Sequence, residues 1–180
     1  VGFGIFTISG ILLKANSNDL LTDIKSLSTL EPLNDSAQKQ KALNDLVTYI
    51  SGLSRLEGKI GSLGTIKTDY VDLAELLGKR STKNQLVNLT DHPSPIVRVT
   101  AFEALCNSNY SKIKLIFEKH ISDFQTFEFQ SGCLAGSLPV NIYLYNSLTQ
   151  SLTKEELGYY RERLSKLYSK TQYMQFLIDY

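Results

Sequence analysis

The stretch "LVNLTDHPSPIVRVTAFEAL", residues 86–105, spends two of the chain's four prolines within three residues, between two segments whose apolar residues recur at helical spacing. Proline fixes φ and carries no amide donor, so it is excluded from a helix interior but favoured in the first turn, where that amide has no partner anyway. Pro93 therefore closes the first segment, Ser94 stands where a cap belongs, and Pro95 sets the first turn of the second. That second segment puts Val97, Ala101, Ala104 and Leu105 on one stripe, at i, i+4, i+7 and i+8. The two alanines let a neighbouring helix come close.

Working outward, apolar residues keep a helical spacing nearly everywhere, and strict alternation is almost absent, which predicts an all-α chain. Asn18 or Ser17 caps a segment "DLLTDIKSLSTL" that Pro32 ends. A longer helix is expected from about Ser36 to Glu57, with Leu43, Leu46, Val47, Ile50 and Leu53 on one face. The glycines at 58, 61 and 64 then read as a connector. Beyond residue 68 the segments shorten: "DYVDLAELL", "TKNQLVNLT", "SPIVRVTAFEALC", "SNYSKIKLIFEKHI" and "DFQTFEFQSGCLAGS" each read as one short helix. Pro139 opens "VNIYLYNSLTQS" and Thr153 opens a last long helix.

The corner resembles the HEAT-like helical repeat. Residues 81–106 carry the match: Leu86 and Leu89 on the first helix, Asp91, then Val97-Arg98, Ala101 and Ala104-Leu105. The resemblance implies that Asp91, Pro93, Pro95 and Arg98 are structural, with the prolines joining an outer helix to an inner one. Laying a second copy thirty residues on aligns Val97 with Phe127, Arg98 with Glu128, Ala101 with Ser131 and Ala104 with Leu134. The implied fold is an irregular HEAT-like α-solenoid of antiparallel helix pairs over 68–138, with a helical hairpin (16–57) and a C-terminal cap (139–180) covering its ends.

The 180 residues suffice for one domain, and 19 basic against 18 acidic residues give a net charge of +1. No global field draws such a protein onto nucleic acid or an anionic membrane. The uncharged run "VGFGIFTISGILL", residues 1–13, is too short to span a bilayer but fits a signal-peptide apolar region or an anchor remnant within 1–15. It favours an exported protein, or one associated with a membrane by its N-terminus, over a cytoplasmic one, the competing reading being a first core helix.

Chemistry is sparse. "GKIGSLGTIK" lacks the Gly-Lys-Ser/Thr ending of a phosphate-binding loop. His92 and His120 each stand near an aspartate, as Asp91-His92 and His120-Ile-Ser-Asp123, yet there is no HExxH and no Gly-x-Ser-x-Gly. Turn hydrogen bonds explain them better than catalysis or metal binding. The thirty-residue offset sets Cys106 and Cys133 nearly a turn apart, beyond the roughly 7 Å Cα limit for bonding, so both are expected as free buried thiols. No catalytic residue, metal or cofactor is expected.

Seven of the ten tyrosines follow residue 139. On the last helix Leu157, Tyr160, Leu164, Leu167, Thr171, Met174 and Ile178 form a narrow seam, and Tyr159, Tyr160, Arg161, Arg163, Lys166 and Tyr168 are the expected partner-binding residues. Tyrosine and arginine are common interface anchors. The expected function is a non-enzymatic module binding another protein, and nucleic-acid binding through the basic, aromatic helix is the alternative.

Overall fold

The computed structural model describes residues 35–58, 72–131 and 134–169. Helix α1 (Ser36–Ser51) starts at Asp35, whose carboxylate accepts the Ala37 amide at 2.9 Å, and it stops at Gly52. Strand β1 (Arg55–Glu57) follows. Then come α2 (Leu73–Arg80), α3 (Lys83–Leu89), α4 (Pro95–Asn107) and α5 (Ile113–His120). Strands β2 (Thr126–Ser131) and β3 (Leu134–Pro139) lead into α6 (Val140–Leu148), a 3-10 turn, and α7 (Lys154–Leu167).

The sheet overturns the all-α expectation. Its order is β1-β2-β3, with β1 parallel to β2 (Leu56 opposite Phe129) and β2 antiparallel to β3 (Phe127 opposite Leu138). Residues of the expected second repeat, Phe127, Glu128, Ser131 and Leu134, thus lie on strands rather than on an inner helix, so the stacked solenoid over 68–138 is not formed. The cause is local: in "TFEFQ" the side chains of Phe127 and Phe129 share one face while Thr126 and Glu128 are exposed on the other, the period of a half-buried strand. Both rings meet Tyr143 of α6 edge-on, at centroid distances of 5.6 and 5.5 Å. The expected helix to Glu57 is likewise cut at Gly52, and its last residues become β1. Gly58 continues the parallel ladder, its amide donating to the Gln130 carbonyl at 2.7 Å, and a Cβ there would stand 3.0 Å from the Ser131 hydroxyl.

At the corner, α3 and α4 pack on each other around Pro93 and Pro95. Thr82 and Gln85 form a reciprocal capping box that starts α3. Ser94 occupies the N-cap of α4 without a side-chain cap; instead its amide donates to His92 Nδ1 at 3.0 Å. Helix α4 is the centre of the molecule and packs on α1, α2, α3, α5, α6 and β2. Its expected stripe of Val97, Ala101, Ala104 and Leu105 is buried, and so are Ile96, Val99, Phe102, Thr100 and Arg98. Burial of such a helix all round supplies much of the core: each fully buried aliphatic or aromatic side chain contributes roughly 1.5–3 kcal/mol.

The expected N-terminal elements within 1–34, the apolar run with its export or membrane reading, the glycine connector beyond Gly58, Cys133, and the seam positions Thr171, Met174 and Ile178 lie outside the described residues. Among the described residues no helix is long and apolar enough to cross a membrane.

Candidate functional site

Arg98 opens onto the corner almost wholly buried, at 7 % exposure. Its Nη1 donates to the carbonyls of His92 (2.8 Å) and Pro93 (3.0 Å), and its Nη2 to Gln125 Oε1 (2.8 Å) and Asp123 Oδ1 (3.2 Å). Nε stands 2.9 Å from Asp123 Oδ2 as an ion-pair contact, outside hydrogen-bond alignment. Arg98 thus ties the proline corner to the residues just before β2. Asp91 is hydrogen-bonded to Lys119, with His120 Nε2 at 3.2 Å from Oδ1. Its carboxyl is held below the ordinary value chiefly by Lys119. His92 and His120 are each within electrostatic reach of Arg98, and both are pushed down in pKa, chiefly by burial. Among the described residues no group of three histidine, cysteine or acidic side chains could hold a metal ion.

The tyrosine-rich helix is positioned by a second capping box, Thr153 with Glu156. It lies alongside α5: Lys114 bonds Glu156, Phe117 meets Tyr160 edge-on at 5.1 Å, and Arg163 bonds Glu118. Tyr160, expected at the binding surface, is therefore core, at 6 % exposure, because its ring completes the contact with Phe117. Burial and Glu118 together raise its pKa to about 12. Leu164 is buried beside it and Leu157 partly so, while Leu167 at the end of the seam is exposed.

The other five residues stay at or near the surface with different partners. Tyr159 is 54 % exposed, with the Arg163 guanidinium 5.3 Å above its ring and Arg163 Nη1 donating to its hydroxyl at 3.1 Å. Lys166 bonds Glu162 one turn earlier at 2.6 Å, and Arg161 is exposed. Tyr168 is half-buried: its ring meets Phe124 edge-on and its hydroxyl donates to Asn141 Oδ1. Leu115 of α5, which sequence reasoning missed, is 67 % exposed. On a helix with 3.6 residues per turn, Leu115 and Tyr159 lie just outside the ion-paired row, one on each helix.

A second feature was also missed. A cavity of about 320 Å³ opens between β1, β2, α2, α4 and α6, lined by Leu56, Asp72, Thr100, Glu103, Phe129 and Tyr143 among others. Tyr143 donates its hydroxyl to Glu103 Oε2 at 2.7 Å. Burial raises the Glu103 carboxyl above its ordinary pKa, and the charge of Asp72 raises it further. Asp72 itself caps α2 through Oδ1, which accepts the Glu75 amide at 2.9 Å. Apolar neighbours all round α4 were the signal: a glutamate set between Phe102 and Ala104 on a helix without a polar face is not solvated. Near it, the Cys106 thiol is half-buried and pushed up to about 12, so it is no thiolate at neutral pH. Comparison of the chain with protein families, curated proteins and solved structures finds no match.

Proposed function

We propose that the chain is a non-enzymatic module that binds another protein through the outer edge of α5 and α7, centred on Leu115 and Tyr159. The observation that carries this reading is Tyr159: an exposed aromatic ring fixed by its own Arg163, which is in turn fixed by Glu118. A pre-ordered tyrosine gives contact area at little entropic cost, as hot-spot residues do. The occupant is a protein segment presenting apolar side chains. Nucleic acid is disfavoured because Lys114, Arg163 and Lys166 already face carboxylates of their own chain, leaving phosphate to compete with them.

The test is binding of a purified partner, first recovered by crosslinking in the native extract, to the wild type and to Leu115→Asp/Tyr159→Asp. Loss in the double variant, with binding kept after nuclease and in about 0.5 M salt, supports the reading. Unchanged binding in the double variant sinks it. Recovery of nucleic acid alone, released by moderate salt and by Arg161→Glu/Lys166→Glu, replaces it with the alternative.

A further inference from the structure

Glu103 is one of two charged side chains on α4, and unlike Arg98 it meets no cation among the described residues that line its surroundings. Among the described residues its one hydrogen-bonding partner is the Tyr143 hydroxyl, which fills one of about four acceptor positions on a carboxylate. Its remaining acceptor capacity lies beside a cavity whose described lining residues include no lysine, arginine or histidine. Asp72 adds a second negative charge to the same space, and Glu57, which has Arg55 at 3.5 Å, lines it as a third carboxylate. Leu56, Leu73 and Ala74 supply apolar wall, and the rings of Phe129 and Tyr143 stand edge-to-face at 5.5 Å on another side.

Each of these features favours the same chemistry. Carboxylates in a partly enclosed, low-dielectric space raise one another's energy until a cation enters, and a charge-assisted N–H···O bond there is stronger than a neutral one. Aromatic rings add attraction for a cation, and apolar walls take up the methylene groups behind it. We propose that this cavity, separate from the α5–α7 edge, is a binding site for a cationic group on an aliphatic stem, with an ammonium or guanidinium set between Glu103 and Asp72. That chemistry belongs both to a lysine or arginine side chain of a partner protein and to a free small amine. A volume of about 320 Å³ is small for a ligand site and suits one such group rather than a large cofactor.

The test uses the full chain with three probes: pentane-1,5-diamine, a blocked tripeptide Gly-Lys-Gly, and pentan-1-ol as the uncharged control. Binding is followed by NMR shifts of Ala74, Thr100 and Tyr143 and by the carboxyl carbon resonance of Glu103. Saturable shifts with either cationic probe, a fall in the Glu103 pKa on binding, and no response to the alcohol are expected. Stronger binding of the peptide points to a partner's side chain as the source, stronger binding of the diamine to a free amine. Glu103→Gln and Asp72→Asn, each of which keeps a hydrogen-bonding side chain in place, should weaken binding by roughly tenfold or more. Glu155→Gln, on exposed α7 surface, serves as the unaffected control. Equal response to the alcohol, or no saturation, overturns the proposal. So does a rise in the Glu103 pKa in Lys59→Gln/Lys67→Gln without any probe, since the cation would then come from the chain itself.

Discussion

The hydroxyl of Tyr168, just past the end of α7, donates to Oδ1 of Asn141, a side chain with no solvent exposure at the start of α6. The same asparagine donates from Nδ2 to the Ile121 carbonyl at 2.8 Å, and its backbone amide donates to the Asp123 carbonyl at 3.1 Å. One buried amide therefore joins the end of α5, the approach to β2, the start of α6 and the end of α7. Burial raises the Tyr168 hydroxyl to a pKa of about 12, so it stays a donor throughout the neutral range. Tyr168→Phe leaves a buried acceptor without its donor and should cost about 1–3 kcal/mol. Asn141→Ala removes both side-chain bonds and should cost more. Urea denaturation of both variants measures it, and a neutral Tyr168→Phe would show that the contacts of α7 with α5 hold the helix without this bond.

Arg98 holds the corner by a different logic, since its guanidinium meets four separate oxygen-bearing groups: two carbonyls, Asp123 and Gln125. Removing it strands Asp123 with a partly buried charge, and breaking a buried pair from one side costs about 3–5 kcal/mol. Arg98→Ala should show that loss. Arg98→Lys should recover only part of it, because an ammonium cannot match a planar fork of five donors. Partner binding, measured under conditions where the variant is still folded, should be unchanged, since Arg98 is remote in role from the Leu115–Tyr159 edge. A fully stable Arg98→Ala that no longer binds would assign this residue to recognition instead.

The helix pair at the corner was legible because its signals are short-range. Two prolines and the Thr82 capping box act within a few residues of themselves, and Thr153 starts α7 in the same way. The sheet was not legible from the same reasoning. β1 is three residues long and its partner is more than seventy residues away, at Leu56 opposite Phe129. Nothing local in "RLE" announces a strand, because the pairing that makes it one is tertiary. In β2 the alternation of Phe127 and Phe129 was available, as was a separation of only two residues, Gly132 and Cys133, from the next strand. The thirty-residue offset of a presumed repeat read the same stretch as a helix. On α7, Tyr159 and Tyr160 are adjacent in sequence but differ in fate: the rotation of about 100° between successive helical residues faces Tyr160 to Phe117 and Tyr159 to solvent.

Glu103 makes a prediction about stability that runs opposite to most carboxylates. Its pKa is raised in the folded chain, so the folded state binds its proton more tightly than the unfolded state does. Stability from this group is fully present below the ordinary value of 4.5 and is lost as pH rises through the higher folded value. Glu103→Gln keeps an acceptor for Tyr143 and has no charge to bury. It should be more stable than the wild type at neutral pH, by about 0.5–2 kcal/mol, the usual gain from relieving one unfavourable group. The difference should shrink as pH is lowered towards 4. Equal stability at both pH values would mean that the carboxylate is already neutralised in the free protein.

The histidines give the opposite slope in a different window. His120 lies between Asp91 (3.2 Å) and Asp123 (3.8 Å), which favour its charged form, while Lys119 and Arg98 oppose it and burial opposes it most. His92 is lowered by burial first and by Arg98 second, and its Nδ1 must stay unprotonated to accept the Ser94 amide. Both folded pKa values therefore lie below the unfolded value of 6.5. The unfolded chain takes up these protons first, so stability is intact above that value and falls as pH drops from it towards the folded pKa values. Asp91, whose pKa is also lowered, adds a further loss only at the more acidic pH where carboxylates titrate. With the opposing contribution of Glu103 removed by Glu103→Gln, urea midpoints should thus decline between about pH 7 and pH 5.5. In the same background His92→Gln/His120→Gln, where glutamine can still accept from Ser94, should make the decline in that interval markedly smaller. An unchanged slope on adding the two histidine substitutions would place the acid-sensitive groups elsewhere in the chain.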